Sequence, residues 1–163
     1  MSRAALQIAP LWDYPQHLAE VAQAHLQAFG GLSPDWRLDQ AQAELASHGR
    51  GDRIPTTWLA LEGEQWLGSV SLLANDDERI DQYRPWLASL YVRPQARAAG
   101  IGAALVRHGV QAAAALKVPR LHLYCQDALV PYYARLGWQP LDRLALGPLQ
   151  VVVMAIAPGV VDV

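Results

Sequence analysis

The sequence is poor in cysteine, in net charge and in long apolar runs. Its 163 residues contain one cysteine, Cys125, which excludes an internal disulfide and a cysteine-cluster zinc site. Nucleic acids and anionic membranes bind clustered Lys and Arg, and the formal charge of −2 indicates no such excess of positive charge. No apolar run approaches the ~20 residues of a membrane-spanning helix. We therefore expect neither a nucleic-acid nor a membrane partner.

The opening segment MSRAALQIAPLWDYPQ has no basic stretch followed by a long apolar stretch, so it does not read as an export signal. Together with the scarcity of cysteine, this favours a cytoplasmic protein. Hydrophobic residues make up 52% of the chain, enough for a substantial core. Since the sequence holds no internal repeat or long linker, we expect one domain over residues 1–163.

Periodicity and turn residues predict a chain that mixes helices and strands. A pair of Trp- and Val-rich stretches around Glu62-Gly63-Glu64 is typical of a β-hairpin. The other predicted strands are 6–10, WLASLYV (86–92), RLHLYC (120–125) and LQVVVMAI (149–156), and the predicted helices are 18–29, 38–47, 101–116 and the short ALVPYYARLGW segment.

The stretch VRPQARAAGIGAAL, residues 92–105, places two glycines between a predicted strand and a predicted helix. The first turn of a helix has unpaired N–H groups and the positive end of the macrodipole, so it can hold a phosphate. Gly100 and Gly102 would let the anion approach the backbone, and Arg97 would add a charged contact. The stretch lacks the Lys-Ser/Thr of a P-loop and the three glycines of a dinucleotide fingerprint. The alternative interpretation is that the glycines only form a tight turn between strand and helix and bind no phosphate.

Two segments, in the right order, make the chain resemble the GNAT family of N-acetyltransferases. Residues 97–102 (RAAGIG) fit the motif (Arg/Gln)-x-x-Gly-x-(Gly/Ala), and LYVRPQARAAGIGAALV fits its wider strand-loop-helix form. Downstream, YYARLGW (132–138) resembles the aromatic-Tyr-x-x-x-Gly-aromatic segment of the same family. The resemblance is strong over residues 56–138 and weak before them.

This resemblance implies an α/β fold with a mixed, mostly antiparallel sheet of six to seven strands, splayed between strands 4 and 5 and flanked by about four helices. Residues 1–55 would form the variable acceptor side, 56–138 the acetyl-CoA-binding core and 139–163 the C-terminal strands. Acetyl-CoA would be the co-substrate. The residues implied in holding it are the backbone of Leu90, Tyr91 and Val92, the loop Arg97, Ala98, Ala99, Gly100, Ile101 and Gly102, and the amide of Gln126.

In the family pattern a tyrosine protonates the departing CoA thiolate, and the matching residue is Tyr133. A phenol has a reference pKa of ~10 and a thiol ~8.5, so a tyrosine near the sulfur stays protonated at neutral pH and donates as the thiolate forms. Packing alone is the other interpretation of Tyr132 and Tyr133. Transfer would proceed by direct attack through a tetrahedral intermediate whose oxyanion binds a strand amide near Tyr91 or Val92.

The base that deprotonates the acceptor amine is not evident from the sequence. Many relatives carry a glutamate on the fourth strand, at the position that aligns with Trp86, and WLASLYV contains no acid. Asp76, Asp77, Glu78 and Asp81 precede that strand and are candidates for a base or an amine-binding acid; an acidic loop exposed to solvent is the alternative. His122 is a further candidate on the fifth strand.

Trp36 and Trp12 lie in the variable half and are candidates to touch a cationic acceptor. Cys125 lacks an activating partner, so a buried thiol is favoured over a covalent acetyl-cysteine route. The five histidines show no metal-ligand spacing, and we predict no metal.

The sequence leaves the acceptor open among small amines, antibiotic-like polyamines, amino acids and peptide N-termini. An N-acetyltransferase is the leading hypothesis, with a non-catalytic acyl-CoA sensor or interaction module as the alternative. Family members form dimers, so a homodimer is an open option.

Overall fold

Seven strands of the computed structural model, which describes residues 6–32, 34–76 and 78–160, form one sheet in the order β1-β2-β3-β4-β5-β7-β6. The strands are β1 Leu6–Pro10, β2 Thr56–Glu62, β3 Gln65–Leu73, β4 Trp86–Val92, β5 Leu121–Cys125, β6 Gln139–Leu146 and β7 Leu149–Ile156. The α-helices of the described residues are α1 Leu18–Phe29, α2 Leu38–Ala46, α3 Ile101–Ala115 and α4 Val130–Arg135.

All neighbouring strands pair antiparallel except β4 and β5, which run parallel. That parallel pair is held by a single register position, Trp86 opposite His122. The two strands then diverge, so the sheet splays between them. This confirms the predicted mixed, mostly antiparallel sheet with its gap between strands 4 and 5.

Alternate residues of β2 point to opposite faces of the sheet and so belong to different cores. Trp58 packs with Leu72 and Leu87 beneath α3, in a cluster that extends to β5, β7 and α4. Leu59, which is fully buried, packs instead with Val21 of α1 and Leu45 of α2. Helices α1 and α2 therefore cover one face of the first strands and α3 covers the other.

The predicted hairpin between β2 and β3 is confirmed, and its turn requires the glycine. Gly63 has a φ of +62°, which glycine adopts without the steric cost that a Cβ imposes. None of the helices within the described ranges is long and apolar enough to cross a membrane.

Candidate active site

The divergence of β4 and β5 opens a cavity of about 940 Å³ in the middle of the sheet. One wall is the β4 segment that includes Ser89 and Leu90, and the facing wall is the end of β5 with Gln126. Tyr133 of α4 also lines it, and the cavity extends to Trp36 before α2. Because backbone groups of β4 beyond Trp86 have no β5 partner in the ladder, this edge can bond a ligand that lies along it.

A β-bulge shapes the cavity wall on β4. Ser69 of β3 pairs with Tyr91 and Ser71 pairs with Ala88, so Ser89 and Leu90 together face the single residue Val70. Ser89 has a φ of +54°, a left-handed conformation that is uncommon for serine. The bulge turns the backbone of this segment away from the regular ladder and towards the gap.

A buried hydrogen-bond chain fixes the bulge from the α1 side. The Ser69 hydroxyl donates to the Ser89 carbonyl at 3.2 Å, and it accepts a 2.7 Å hydrogen bond from Nε2 of His25. Burial, with a smaller contribution from His48, lowers the pKa of His25 from 6.5 to about 4. His25 is therefore neutral at pH 7 and holds the serine hydroxyl in a fixed orientation.

The glycine loop between β4 and α3 contains two left-handed residues. Ala98 has a φ of +66° and Gly100, which precedes the first residue of α3, has a φ of +80°. Arg97 folds back over β4: its Nε donates to the Val92 carbonyl at 2.9 Å, and its guanidinium lies 6.0 Å from the Tyr91 ring centre. The loop thus presents the first amides of α3 to solvent with an arginine anchored beside them.

Gly102 lies in the first turn of α3, where it faces α4. A Cβ added at Gly102 would lie 3.2 Å from the hydroxyl oxygen of Tyr132 and 3.7 Å from Cγ2 of Val92. The two sequence segments that carry the family resemblance therefore meet in space at this contact. Tyr132, for which the sequence indicates no role beyond packing, lies directly beside the glycine loop.

Tyr133 is 8% exposed and its ring lies 5.0 Å from that of Tyr132, in an edge-to-face arrangement. Burial raises the pKa of Tyr133 well above that of a free phenol, and the nearby Cys125 and Tyr132 raise it further. The hydroxyl therefore stays protonated over the whole physiological pH range. A protonated phenol in the wall of the gap is able to donate a proton to a ligand there.

Cys125, at the end of β5, also lines the cavity but is only 7% exposed. Burial raises the pKa of its thiol, with a smaller contribution from Asp127, and its Sγ contacts Sδ of Met154 at 3.9 Å. A thiol of this kind is mostly protonated at neutral pH, which makes it a weak nucleophile.

Only some of the residues that the sequence suggests for binding the acceptor amine line the cavity. Trp36 and Asp76 line the cavity, whereas Asp81, Trp12 and His122 are not among its lining residues. Asp77 and the side chain of Glu78 lie outside the described residues. His122 is 5% exposed, and its Nδ1 lies 3.1 Å from the Pro85 carbonyl, so it supports the β4–β5 junction.

Glu44 of α2 and, just after the helix, Ser47 and His48 line the cavity, and none of the three is a candidate from the sequence. Glu44 accepts a 3.2 Å hydrogen bond from Nε1 of Trp36. His48 lies further along the chain, and its Nδ1 is 2.7 Å from the Thr57 hydroxyl. Burial and the nearby Arg53 lower the pKa of His48 to about 4. His48 lies two residues beyond the end of α2 at Ala46, so no helical spacing relates it to Glu44 and the sequence carries no signal for the pair.

Trp86 occupies the position at which the resemblance implies an acid in many relatives. Its side chain is fully buried in a small core with Ile80 and Leu146, and it packs against Tyr83 and His122. This position therefore cannot supply a base to the cavity. Within the described part of the chain, no group of three or more His, Cys, Asp or Glu side chains has the arrangement of a metal site.

Solved structures of acyltransferases share this fold. An aminoglycoside 6'-N-acetyltransferase complexed with coenzyme A is 13% identical, with a TM-score of 0.72 over 93% of this chain and 97% of that one. A spermidine N-acetyltransferase chimera from Vibrio cholerae is 14% identical, with a TM-score of 0.70 over 94% and 95%. An acyl-CoA N-acyltransferase from Pseudomonas aeruginosa is 21% identical, with a TM-score of 0.67 over 94% and 100%.

No curated protein sequence matches the chain. The profile of the Acetyltransferase (GNAT) family matches residues 18–138, which include α1, the glycine loop and the YYARLGW segment. The match thus extends well into the N-terminal part, where the resemblance by motifs is weak. By its sequence profile and its splayed sheet, the chain belongs to the GNAT acetyltransferase family, whose co-substrate is acetyl-CoA.

Proposed function

We propose that this protein transfers the acetyl group of acetyl-CoA to a primary amine by direct attack. The observation that carries the proposal is the single cavity between β4 and β5, because the bulged edge of β4 and the phenol of Tyr133 both line it. The first provides backbone hydrogen bonds for a thioester arm, and the second provides a proton for the leaving thiolate.

Acetyl-CoA would lie in the gap as an additional strand. Its pantetheine arm would bond the backbone of 90–92, and its pyrophosphate would accept hydrogen bonds from amides of the 97–102 loop. The φ values of Ala98 and Gly100 support this assignment, because alternating backbone conformations direct successive N–H groups to one side. Gln126 is exposed and lines the facing wall, where its amide would contact the arm.

The chemical step would join the acceptor nitrogen to the thioester carbon. The nitrogen lone pair forms the new bond, and the carbonyl becomes an oxyanion held by a β4 amide near Tyr91 or Val92. Collapse of this intermediate breaks the carbon–sulfur bond, and Tyr133 gives its proton to the CoA thiolate. The nitrogen loses a proton to water and Tyr133 regains one from water, so the products are an amide and free CoA and the tyrosine is again protonated.

A small amine is the acceptor class that we favour. The similar structures include enzymes described as acting on spermidine and on aminoglycosides, which are small amines. Peptide N-termini remain the second acceptor class. We also propose a homodimer as the oligomeric state.

A sensor that binds acyl-CoA without turnover is the second candidate, and the buried Trp86 favours it because no acid occupies that position. Calorimetric titration with acetyl-CoA tests the cleft, and thiol-specific detection of free CoA with a panel of primary amines tests turnover. An enzyme binds acetyl-CoA with micromolar affinity and releases CoA only when an amine is present. Binding without release would establish the sensor, and no binding by the folded protein would reduce the glycine loop to a structural turn.

A further inference from the structure

Trp36 and Glu44 form an ordered pair at the acceptor end of the cavity. The indole N–H donates to Oε1 of Glu44 at 3.2 Å, which leaves the other carboxylate oxygen available as an acceptor. The Trp36 ring is half-buried against the core between α1 and α2 and lies within 4.0 Å of the site of a Cβ at Gly30. The indole N–H holds one carboxylate oxygen beside the edge of the ring, and the Glu44 side chain is otherwise exposed to solvent.

The charged side chains among the described residues that line the cavity are all acidic. Its acidic lining residues are Glu44 and Asp76, and no Lys or Arg of the described chain lines it. His48 does not supply a compensating positive charge, because its lowered pKa of about 4 keeps it neutral at pH 7. Arg53, which lies close to His48, directs a guanidinium N–H to the Ser47 carbonyl and is not part of the lining. Glu44 is the carboxylate that we assign to the ligand, because it is the one that lies beside an aromatic ring.

Such a cavity discriminates among acceptor amines by charge. An amino acid or an acidic peptide terminus would place its carboxylate near Glu44 with no cation to offset it. A diamine would present one amine to the thioester while its second, charged ammonium remains free to bind. A carboxylate next to an aromatic ring is suited to an ammonium, because the carboxylate charge attracts it and the face of the ring attracts a cation that lies over it.

We infer that the acceptor carries a second positive charge, and that this charge binds the other carboxylate oxygen of Glu44 beside the Trp36 ring. The inference rests on the proposed function and deepens it from primary amines in general to diamines and polyamines. Glu44 and Trp36 then determine substrate specificity and leave acetyl-CoA binding unaffected.

The test compares three acceptors of matched length: an α,ω-diaminoalkane, the alkylamine without the second amine, and the ω-amino acid that carries a carboxylate instead. Chains of three to eight carbons cover the unknown distance between the two amine positions. For the wild-type protein we expect kcat/KM for the best diamine to exceed that for its alkylamine by about 10- to 100-fold. The ω-amino acid should be the poorest of the three.

Two variants probe the pair. Glu44→Gln keeps an oxygen that accepts from the indole but removes the charge, and Trp36→Leu removes the ring. Each should lower kcat/KM for the diamine about tenfold or more, chiefly through KM, while kcat/KM for the alkylamine stays within about twofold. Glu64→Gln, in the exposed β2–β3 turn, is the control for a general loss of negative charge and should change neither value.

The results separate the inference from the proposed function. If no amine in any series causes CoA release, the transfer reaction itself fails and the inference falls with it. If amines are acetylated but the alkylamine or the ω-amino acid matches the diamine, only the second-charge site is overturned. An unchanged diamine preference in Glu44→Gln, or an equal loss in Glu64→Gln, also overturns the assignment to this pair. The assignment is supported only if the diamine preference is lost in both Glu44→Gln and Trp36→Leu and kept in Glu64→Gln.

Discussion

The hydroxyl oxygen of Tyr132 lies 3.2 Å from the position that a Cβ would take at Gly102. This close approach of α4 to the start of α3 means that a side chain at Gly102 would require the Tyr132 hydroxyl to shift by a few tenths of an ångström. It also means that a substitution there changes both the space and the charge at the first turn of α3. A test of the pyrophosphate site must therefore separate the two effects.

Gly102→Glu and Gly102→Gln make that separation, because the two side chains have similar size and differ in charge. We expect the glutamine variant to bind acetyl-CoA more weakly than wild type. The glutamate variant should bind on the order of 100-fold more weakly still, because its carboxylate would face the pyrophosphate. Calorimetric titration measures both affinities, and circular dichroism shows that each variant is folded.

Gly159→Glu is the control for an added negative charge, since Gly159 is exposed and its Cβ position has no neighbour within 4 Å. It should bind acetyl-CoA as wild type does. Equal affinities for the two Gly102 variants would argue against a phosphate at this helix end.

Tyr133→Phe should lower kcat by about 10²- to 10³-fold and leave the affinity for acetyl-CoA nearly unchanged. The ring keeps its packing, so the loss would report the missing proton donor. Steady-state kinetics with an active amine, together with calorimetry, separate the two parameters. Tyr132→Phe is the matched variant on the adjacent residue and should retain kcat within a fewfold; equal losses in both variants would point to packing instead of proton transfer.

The raised pKa of Tyr133 also bears on the pH profile of the reaction. Because burial keeps the phenol protonated beyond its ordinary range, its deprotonation should not reduce kcat between pH 7 and pH 10. A fall in kcat above pH 8 that disappears in Tyr133→Phe would contradict this expectation.

Cys125→Ala should retain kcat within about threefold, because direct attack needs no acetyl-cysteine. The raised pKa of this thiol keeps it protonated at neutral pH and makes it a poor nucleophile. Intact-protein mass spectrometry after incubation with acetyl-CoA alone should show no added acetyl group on wild type. A covalent adduct at Cys125, with a kcat loss as large as that of Tyr133→Phe, would establish the covalent route instead.

His25 makes the stability of the protein depend on pH. Its pKa is about 4 in the folded protein and 6.5 as the ordinary value, so the unfolded chain takes up the proton first as the pH falls. The free energy of unfolding should therefore decrease below pH 6.5, by about 2 kcal/mol from this residue at pH 5, and fall further until about pH 4.

Urea unfolding at pH 7 and pH 5 measures the effect. His25→Gln should be less stable than wild type at pH 7, because it disturbs the hydrogen bond to Ser69, but it should lose less stability on acidification. An identical pH dependence in the two proteins would show that His25 is not protonated differently in the folded and unfolded states.

Most of the sheet and the helices could be predicted from local signals. β1 was predicted with the observed bounds, since Pro10 ends an alternating stretch, and the Gly63 turn marked the hairpin. β6 carried a weaker signal, because its sequence QPLDRLAL belongs to an edge strand whose residues are largely exposed. Its pairing with the apolar β7 decides its conformation.

The cavity was predictable on one side only. Tyr133 and the glycine loop are carried by contiguous motifs, and of these two Tyr133 lines the cavity. Glu44 and His48 reach the cavity because α2 packs on the sheet. Residues 88–92 of β4 are half-buried although WLASLYV is almost entirely apolar, because the gap removes the neighbouring strand on one side. No local pattern encodes that gap.

The single Trp86–His122 pair also affects how the molecule meets other proteins. An unpaired strand edge on a protein surface invites pairing with a second chain and so favours aggregation. Here the unpaired edge of β4 faces β5 across the cavity and lies between side chains of α1, α2 and α4. The fold thereby keeps a row of backbone hydrogen-bonding groups accessible to a thin ligand and shielded from the strands of its neighbours.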